Sequence, residues 1–77
     1  MAENFILLSD NAKSFFALGS NAEAIRLECS INSNDWYKME EIRPNQFGVY
    51  YYDLSCIQAK HKRIAYSNMQ LSISEYI

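Results

Sequence analysis

The sequence predicts an all-β fold, a small antiparallel β-sandwich or partly open barrel of about seven short strands. In residues 24–31, apolar and polar side chains alternate, and Asn32–Asp35 then supplies residues that tolerate turn geometry. A second segment, Phe47–Leu54, is rich in Tyr and Val, which favour extended backbone. Short turns recur between such segments, and no segment has a convincing helical period.

The individual strands follow from the apolar runs and the turn residues between them. The predicted strands are Phe5–Leu8, Ser14–Leu18, Ala24–Ile31, Trp36–Ile42, Phe47–Leu54, Lys62–Asn68 and Met69–Ser74. Gly19-Ser20-Asn21 ends the second strand. The fourth strand ends before Pro44, because proline has no N–H to donate to a strand ladder. Residues 55–61 fit a loop, a short strand or one helical turn, and the pattern leaves these open.

Length and composition limit the protein to one small domain, residues 1–77. With 49% hydrophobic residues the chain is apolar enough to fold, so we do not expect disorder. The net charge of −2 argues against a general nucleic-acid binder. No apolar run approaches the length of a membrane span, and the first residues lack a signal-peptide pattern. We therefore expect the protein to be made and kept in a cytoplasm, or released by lysis rather than secretion, and we expect no association with membranes.

The apolar side of the alternating segments predicts the core. Its predicted members are Ile25, Leu27, Cys29, Ile31, Trp36, Ile64, Tyr66, Leu71 and Ile73. Trp36 directly follows the turn, and we expect it to fill the space between the sheets. Cys29 and Cys56 are predicted to be buried free thiols, since a disulfide would need an oxidising compartment. Their spacing fits no zinc or redox motif, and no cofactor is expected.

Two groups of residues are candidates for binding. Tyr50 and Tyr52 lie on one side of their strand, where they pack in the core or an interface, or stack on a sugar ring. The basic run Lys60, His61, Lys62 and Arg63 is the second group, and it suits either an anion site or a solvated edge strand.

Catalytic chemistry has little support in the sequence. His61 is the sole histidine, which excludes a multi-histidine metal site or a histidine pair within one chain. Glu40 and Glu41 are adjacent in a predicted strand, so they point to opposite faces and cannot cooperate. We therefore expect neither an enzyme nor a metal protein.

The order of motifs resembles the small β-sandwich virion proteins of tailed bacteriophages. The resemblance lies in Ser14–Gly19, then Ile25–Asn32 with Asp35-Trp36-Tyr37, then Phe47–Tyr50 and Arg63–Asn68. It covers most of the chain, but its elements are structural, so it transfers no functional residues.

The resemblance implies a non-enzymatic virion structural protein, either a capsid decoration (cement) protein or a tail-fibre or adaptor component. Its partners would be other virion proteins, bound in many copies or as a homo-oligomer through protein–protein contacts, and it would reside in the virion. One alternative is a small phage-encoded inhibitor of a host protein. Another is a carbohydrate-binding module that uses Trp36 with Tyr50 or Tyr52.

Overall fold

The computed structural model describes residues 2–77 and confirms the all-β prediction. The strands are β1 Asn4–Leu7, β2 Ser14–Gly19, β3 Ile25–Ser30, β4 Tyr37–Ile42, β5 Val49–Asp53, β6 His61–Tyr66 and β7 Leu71–Tyr76. Each predicted strand overlaps one of these, and no strand end is displaced by more than two residues. The described residues contain no helix long and apolar enough to cross a membrane.

The strands form two antiparallel sheets rather than a closed barrel. A four-stranded sheet has the order β1-β6-β3-β4, and a three-stranded sheet has the order β5-β2-β7. Of residues 55–61, which the sequence left open, 55–60 form a turn and irregular chain, and His61 begins β6. Asp53 begins this segment by accepting a hydrogen bond from the Ser55 backbone N–H at 2.9 Å, as Asx turns do.

The core lies between the two sheets and contains most of the predicted residues. Ile25, Leu27, Cys29 and Ile64 are fully buried, as the alternation predicts. The predicted members Tyr66, Leu71 and Ile73 are partly buried against this cluster. From the three-stranded sheet, Phe15, Ala17 and Tyr50 complete the core.

The prediction that Ile31 lies in the core is wrong. Its side chain is 78% exposed, because β3 ends one residue earlier, at Ser30. The Ser30 hydroxyl accepts the backbone N–H groups of Asn32 and Ser33 at 3.3 and 2.9 Å, so the chain turns there. Alternation continues to Ile31 in the sequence, but pairing with the neighbouring strand does not.

The placement of Trp36 between the sheets is also wrong, and a β-bulge is the reason. Leu27 pairs with Glu40 and Glu28 with Lys38, so Met39 is an extra residue in β4. A strict alternation back from the buried Ile42 would turn Trp36 inward. The extra residue reverses this phase, and the Trp36 ring instead covers Arg63 on the outer side of the four-stranded sheet.

The two cysteines have different surroundings, although both are free thiols. Cys29 is buried as predicted, and burial raises the pKa of its thiol. Cys56 is exposed in the turn after β5, so its predicted burial is wrong.

Candidate functional site

The tyrosine strand faces the opposite way from the binding prediction. Tyr50 is fully buried, and its hydroxyl donates a hydrogen bond to the backbone carbonyl of Glu23. Tyr52 is half-buried between the sheets, where its ring stacks on Phe15 at 6.5 Å. Tyr51 is the outward residue, with 51% of its surface exposed. Trp36 lies on the outer side of the other sheet, so a sugar platform that combines Trp36 with Tyr50 or Tyr52 is wrong for this chain.

The basic run does not form one patch, because strand alternation divides it. Lys62 is 4% exposed, and its ammonium donates to backbone carbonyls, among them that of Ala59 at 3.1 Å. Its predicted role in facing a partner is therefore wrong. His61 is half-buried with Nδ1 3.5 Å from an Asp10 carboxylate oxygen. Lys60 is exposed, whereas Arg63 belongs to the outer side of the four-stranded sheet.

We call the outer side of the four-stranded sheet the charged face. The strand register places on it Arg26, Glu28, Lys38, Glu41 and Arg63. Glu28 joins the two central strands, since its carboxylate accepts hydrogen bonds from Arg26 at 2.9 Å and Arg63 at 2.8 Å. Its side chain is only 11% exposed, so these charge-assisted bonds are partly shielded from water.

Aromatic and acidic neighbours complete the charged face. The Arg63 guanidinium carbon lies 4.0 Å from the centre of the Phe5 ring and 4.2 Å from that of Trp36. Cation–π attraction therefore holds the guanidinium from both sides. Arg26 also pairs with Glu3, and this hydrogen bond holds the pKa of the Glu3 carboxyl below its usual value. Most of the functional groups on this face already have partners within the chain.

We call the outer side of the three-stranded sheet the aromatic face. Its nine positions are Ser14, Phe16, Leu18, Val49, Tyr51, Asp53, Ser72, Ser74 and Tyr76. They face outward because their strand neighbours Phe15, Ala17 and Tyr50 are buried. Asp53, at one corner, supplies the single charge among these nine positions.

Three aromatic rings in contact dominate this face. The Phe16 ring lies 4.7 Å from that of Tyr51 and 5.6 Å from that of Tyr76, the latter edge-to-face. Phe16, Tyr51 and Tyr76 are 42%, 51% and 52% exposed, and Leu18 beside them is 58% exposed. These side chains therefore present a continuous apolar surface to water.

A shallow groove of about 250 Å³ crosses the aromatic face. Its lining includes Phe16, Leu18, Val49, Ser72, Ser74 and Tyr76. The two serines lie on β7, where their small side chains leave space beside the larger ones of β2. The groove therefore offers ring faces and hydroxyl groups, a surface suited to binding by burial rather than to acid–base chemistry.

Within residues 2–77, no group of three or more His, Cys, Asp or Glu side chains is placed to hold a metal ion. The sequence prediction missed Phe16, Leu18, Tyr51 and Tyr76 as candidate binding residues. One signal was available: Phe15 and Phe16 are adjacent in a strand, so one of them must face outward.

No family model matches the sequence, and neither a curated protein nor a solved structure matches it.

Proposed function

We propose that this protein is a non-enzymatic structural component of a tailed-phage virion that binds other virion proteins through the aromatic face. The single observation that carries the proposal is the half-exposed cluster of Phe16, Tyr51 and Tyr76. Contiguous exposed apolar surface on a small protein typically marks an interaction site. Capsid decoration and tail attachment are both roles that such a surface can fulfil.

Burial of this face supplies the driving force. Apolar surface removed from water contributes roughly 25 cal/mol per Å², and aromatic residues are the usual anchors of interfaces. A virion presents the same partner many times by symmetry. Many copies of a small protein, each with modest affinity, then cover the particle, and any linkage between copies adds avidity.

The direct test is mass spectrometry of tailed-phage particles purified from a host lysate in which this gene is expressed. We expect the protein in the particles at a regular copy number. Its absence from intact particles would rule out the virion role.

A matched pair of substitutions tests the face itself. Leu18 and Leu7 are 58% and 66% exposed, and they lie on the outer sides of different sheets. We expect Leu18→Glu to remove the protein from particles and Leu7→Glu to leave incorporation unchanged. Equal incorporation of both variants would exclude the aromatic face as the docking surface.

The same face also supports a second candidate function, carbohydrate binding. Rings of Phe16, Tyr51 and Tyr76 beside serine hydroxyls offer stacking and hydrogen bonds to a sugar. Chemical-shift changes of these residues on addition of a glycan would favour this function over the virion role.

Recovery of one host protein in a stable one-to-one complex would instead favour the remaining alternative, a small phage-encoded inhibitor of a host protein.

A further inference from the structure

We infer that the occupant of the aromatic face is a second copy of this chain, packed face to face about a twofold axis parallel to the strands. The inference rests on the proposed function, because it names a second copy of this chain as the virion protein that the aromatic face binds. The partner is identified from the shape and the charge of the face.

The two edge strands of the aromatic face, β5 and β7, differ in the size of their central side chains. On one side, β5 contributes Tyr51 and Val49, and Phe16 of the central strand leans against Tyr51. On the other side, β7 contributes Ser72, Ser74 and the large Tyr76, and the groove, which Val49 also lines, lies beside the two serines. The Tyr51 ring therefore forms a ridge on the β5 side of the face, and the two serines form a trough on the β7 side, which Tyr76 bounds at one end.

A twofold axis parallel to the strands matches these two sides to each other. Such an axis turns a second sheet over, so that its β5 lies opposite β7 of the first sheet and its β7 opposite β5. The Tyr51 ring of each copy then enters the serine trough of the other. Phe16 and Leu18, in the central strand, approach their own equivalents near the axis. The contact of Tyr51 with the trough therefore occurs twice, and each contact on the axis occurs once, as an isologous interface requires.

Charge favours the same pairing. The whole chain has a net charge of −2, so random approach of two copies is repulsive. Among the nine positions of the aromatic face, charge is confined to Asp53 at a corner. The charged face carries Arg26, Glu28, Lys38, Glu41 and Arg63, and self-packing there would strip water from many ions. The aromatic face is the broad surface that two identical copies can share without that cost.

The area of the face sets the expected strength of this contact. Three strands about 4.8 Å apart, with up to six residues at about 3.3 Å each, give a footprint of roughly 14 × 20 Å, or about 280 Å². Standard stable interfaces bury roughly 800 Å² per partner. Face-to-face packing of the three-stranded sheet therefore predicts a weak dimer that forms only at high chain concentration.

The test is the solution mass of the full chain by sedimentation over a concentration series reaching about 1 mM, the weak end of measurable affinity. We expect a monomer–dimer equilibrium. Leu18→Glu should weaken dimerisation at least about tenfold, because it places two carboxylates near the axis. Leu7→Glu, on the charged face, should leave the dimer constant unchanged.

Ser74→Trp distinguishes the proposed geometry from general hydrophobic adhesion. A Trp in the trough excludes the Tyr51 ring of the other copy, so the dimer should weaken although the face becomes more apolar. A strengthened dimer with this variant would overturn the ridge-and-trough packing. Circular dichroism of each variant checks that its fold is intact.

A wild-type monomer throughout the concentration range would overturn the inference, as would a dimer that Leu18→Glu does not disturb. These outcomes are distinguishable from failure of the proposed function. A monomer that still enters particles and is lost on Leu18→Glu leaves the virion role standing without the dimer. A dimer that is absent from particles would support the self-association and rule out the virion role.

Discussion

The two outer faces of the sandwich are built by the same strand alternation but use their side chains in opposite ways. On the charged face, Glu28 binds two arginines, and Arg63 lies between two aromatic rings. On the aromatic face, Phe16 and its neighbours contact one another yet remain about half exposed. Phe5 and Leu7 on the charged face are also 46% and 66% exposed, so paired charges rather than apolar exposure distinguish the two faces. The paired ions of the charged face contribute to stability, and the aromatic face, with one charge at a corner, is available to a partner.

The largest expected difference is in folding stability and concerns Arg63. Replacing it in Arg63→Met removes a charge-assisted hydrogen bond and two cation–π contacts, so we expect the free energy of unfolding to fall by about 2 kcal/mol. Lys60 is an exposed neighbour outside this cluster, so Lys60→Met should change the free energy of unfolding by less than about 0.5 kcal/mol. Urea unfolding of both variants provides the measurement. Similar losses for both would contradict a stabilising charged face.

The matching change on the aromatic face should cost less. Tyr51→Ser removes a half-exposed ring, so we expect a loss below about 1 kcal/mol when the chain is monomeric. Self-association by the same variant should weaken at least about tenfold, because truncating an interface anchor costs more than a typical contact. Unfolding at low concentration and sedimentation at high concentration separate the two effects. A stability loss as large as that of Arg63→Met would remove the distinction between the faces.

High salt should weaken the ion pairs of the charged face but should not weaken self-association through the aromatic face. At about 1 M NaCl, the screening length falls to about 3 Å, which weakens partly exposed ion pairs such as Arg26–Glu3. Packing of a nearly neutral apolar face is not screened in this way, and the repulsion between copies of net charge −2 decreases. We therefore expect the dimer constant to stay level or tighten with salt. A dimer that dissociates in salt would indicate association through the charged face.

The smallest effect is the pH dependence from Glu3. Its pKa is lowered in the folded protein, so its pairing with Arg26 stabilises the fold above the unfolded value of about 4.5. This contribution is lost as pH falls through the lower folded pKa. We expect Glu3→Gln to melt slightly below wild type at neutral pH, with the gap closing under acid conditions. A gap that widens on acidification would contradict the assignment.

Strand alternation made the fold and much of the core predictable from the sequence. Ile25, Leu27 and Cys29 alternate with polar residues because one side of β3 is buried, and the pattern records that directly. The burial of Lys62 was also predictable, because it lies two residues from the buried Ile64 and therefore on the same side of β6.

Other features depend on pairing between distant strands, which the pattern does not contain. The extra residue Met39 reverses the phase of Trp36, and the sequence gives no sign of this bulge. Tyr50, Tyr51 and Tyr52 are chemically identical, so their pattern cannot show which one faces outward. The contact between Glu28 and Arg63 spans 35 positions along the chain and follows from the β3–β6 register.

The most direct test of a self-associating aromatic face is an isotope-filtered NOE experiment on a mixture of labelled and unlabelled chain. We expect intermolecular NOEs from the Tyr51 ring protons to the β-protons of Ser72 and Ser74, with none from Phe5 or Trp36. A dimer whose intermolecular NOEs arise instead from Phe5 and Trp36 would contradict the central claim and place the interface on the charged face.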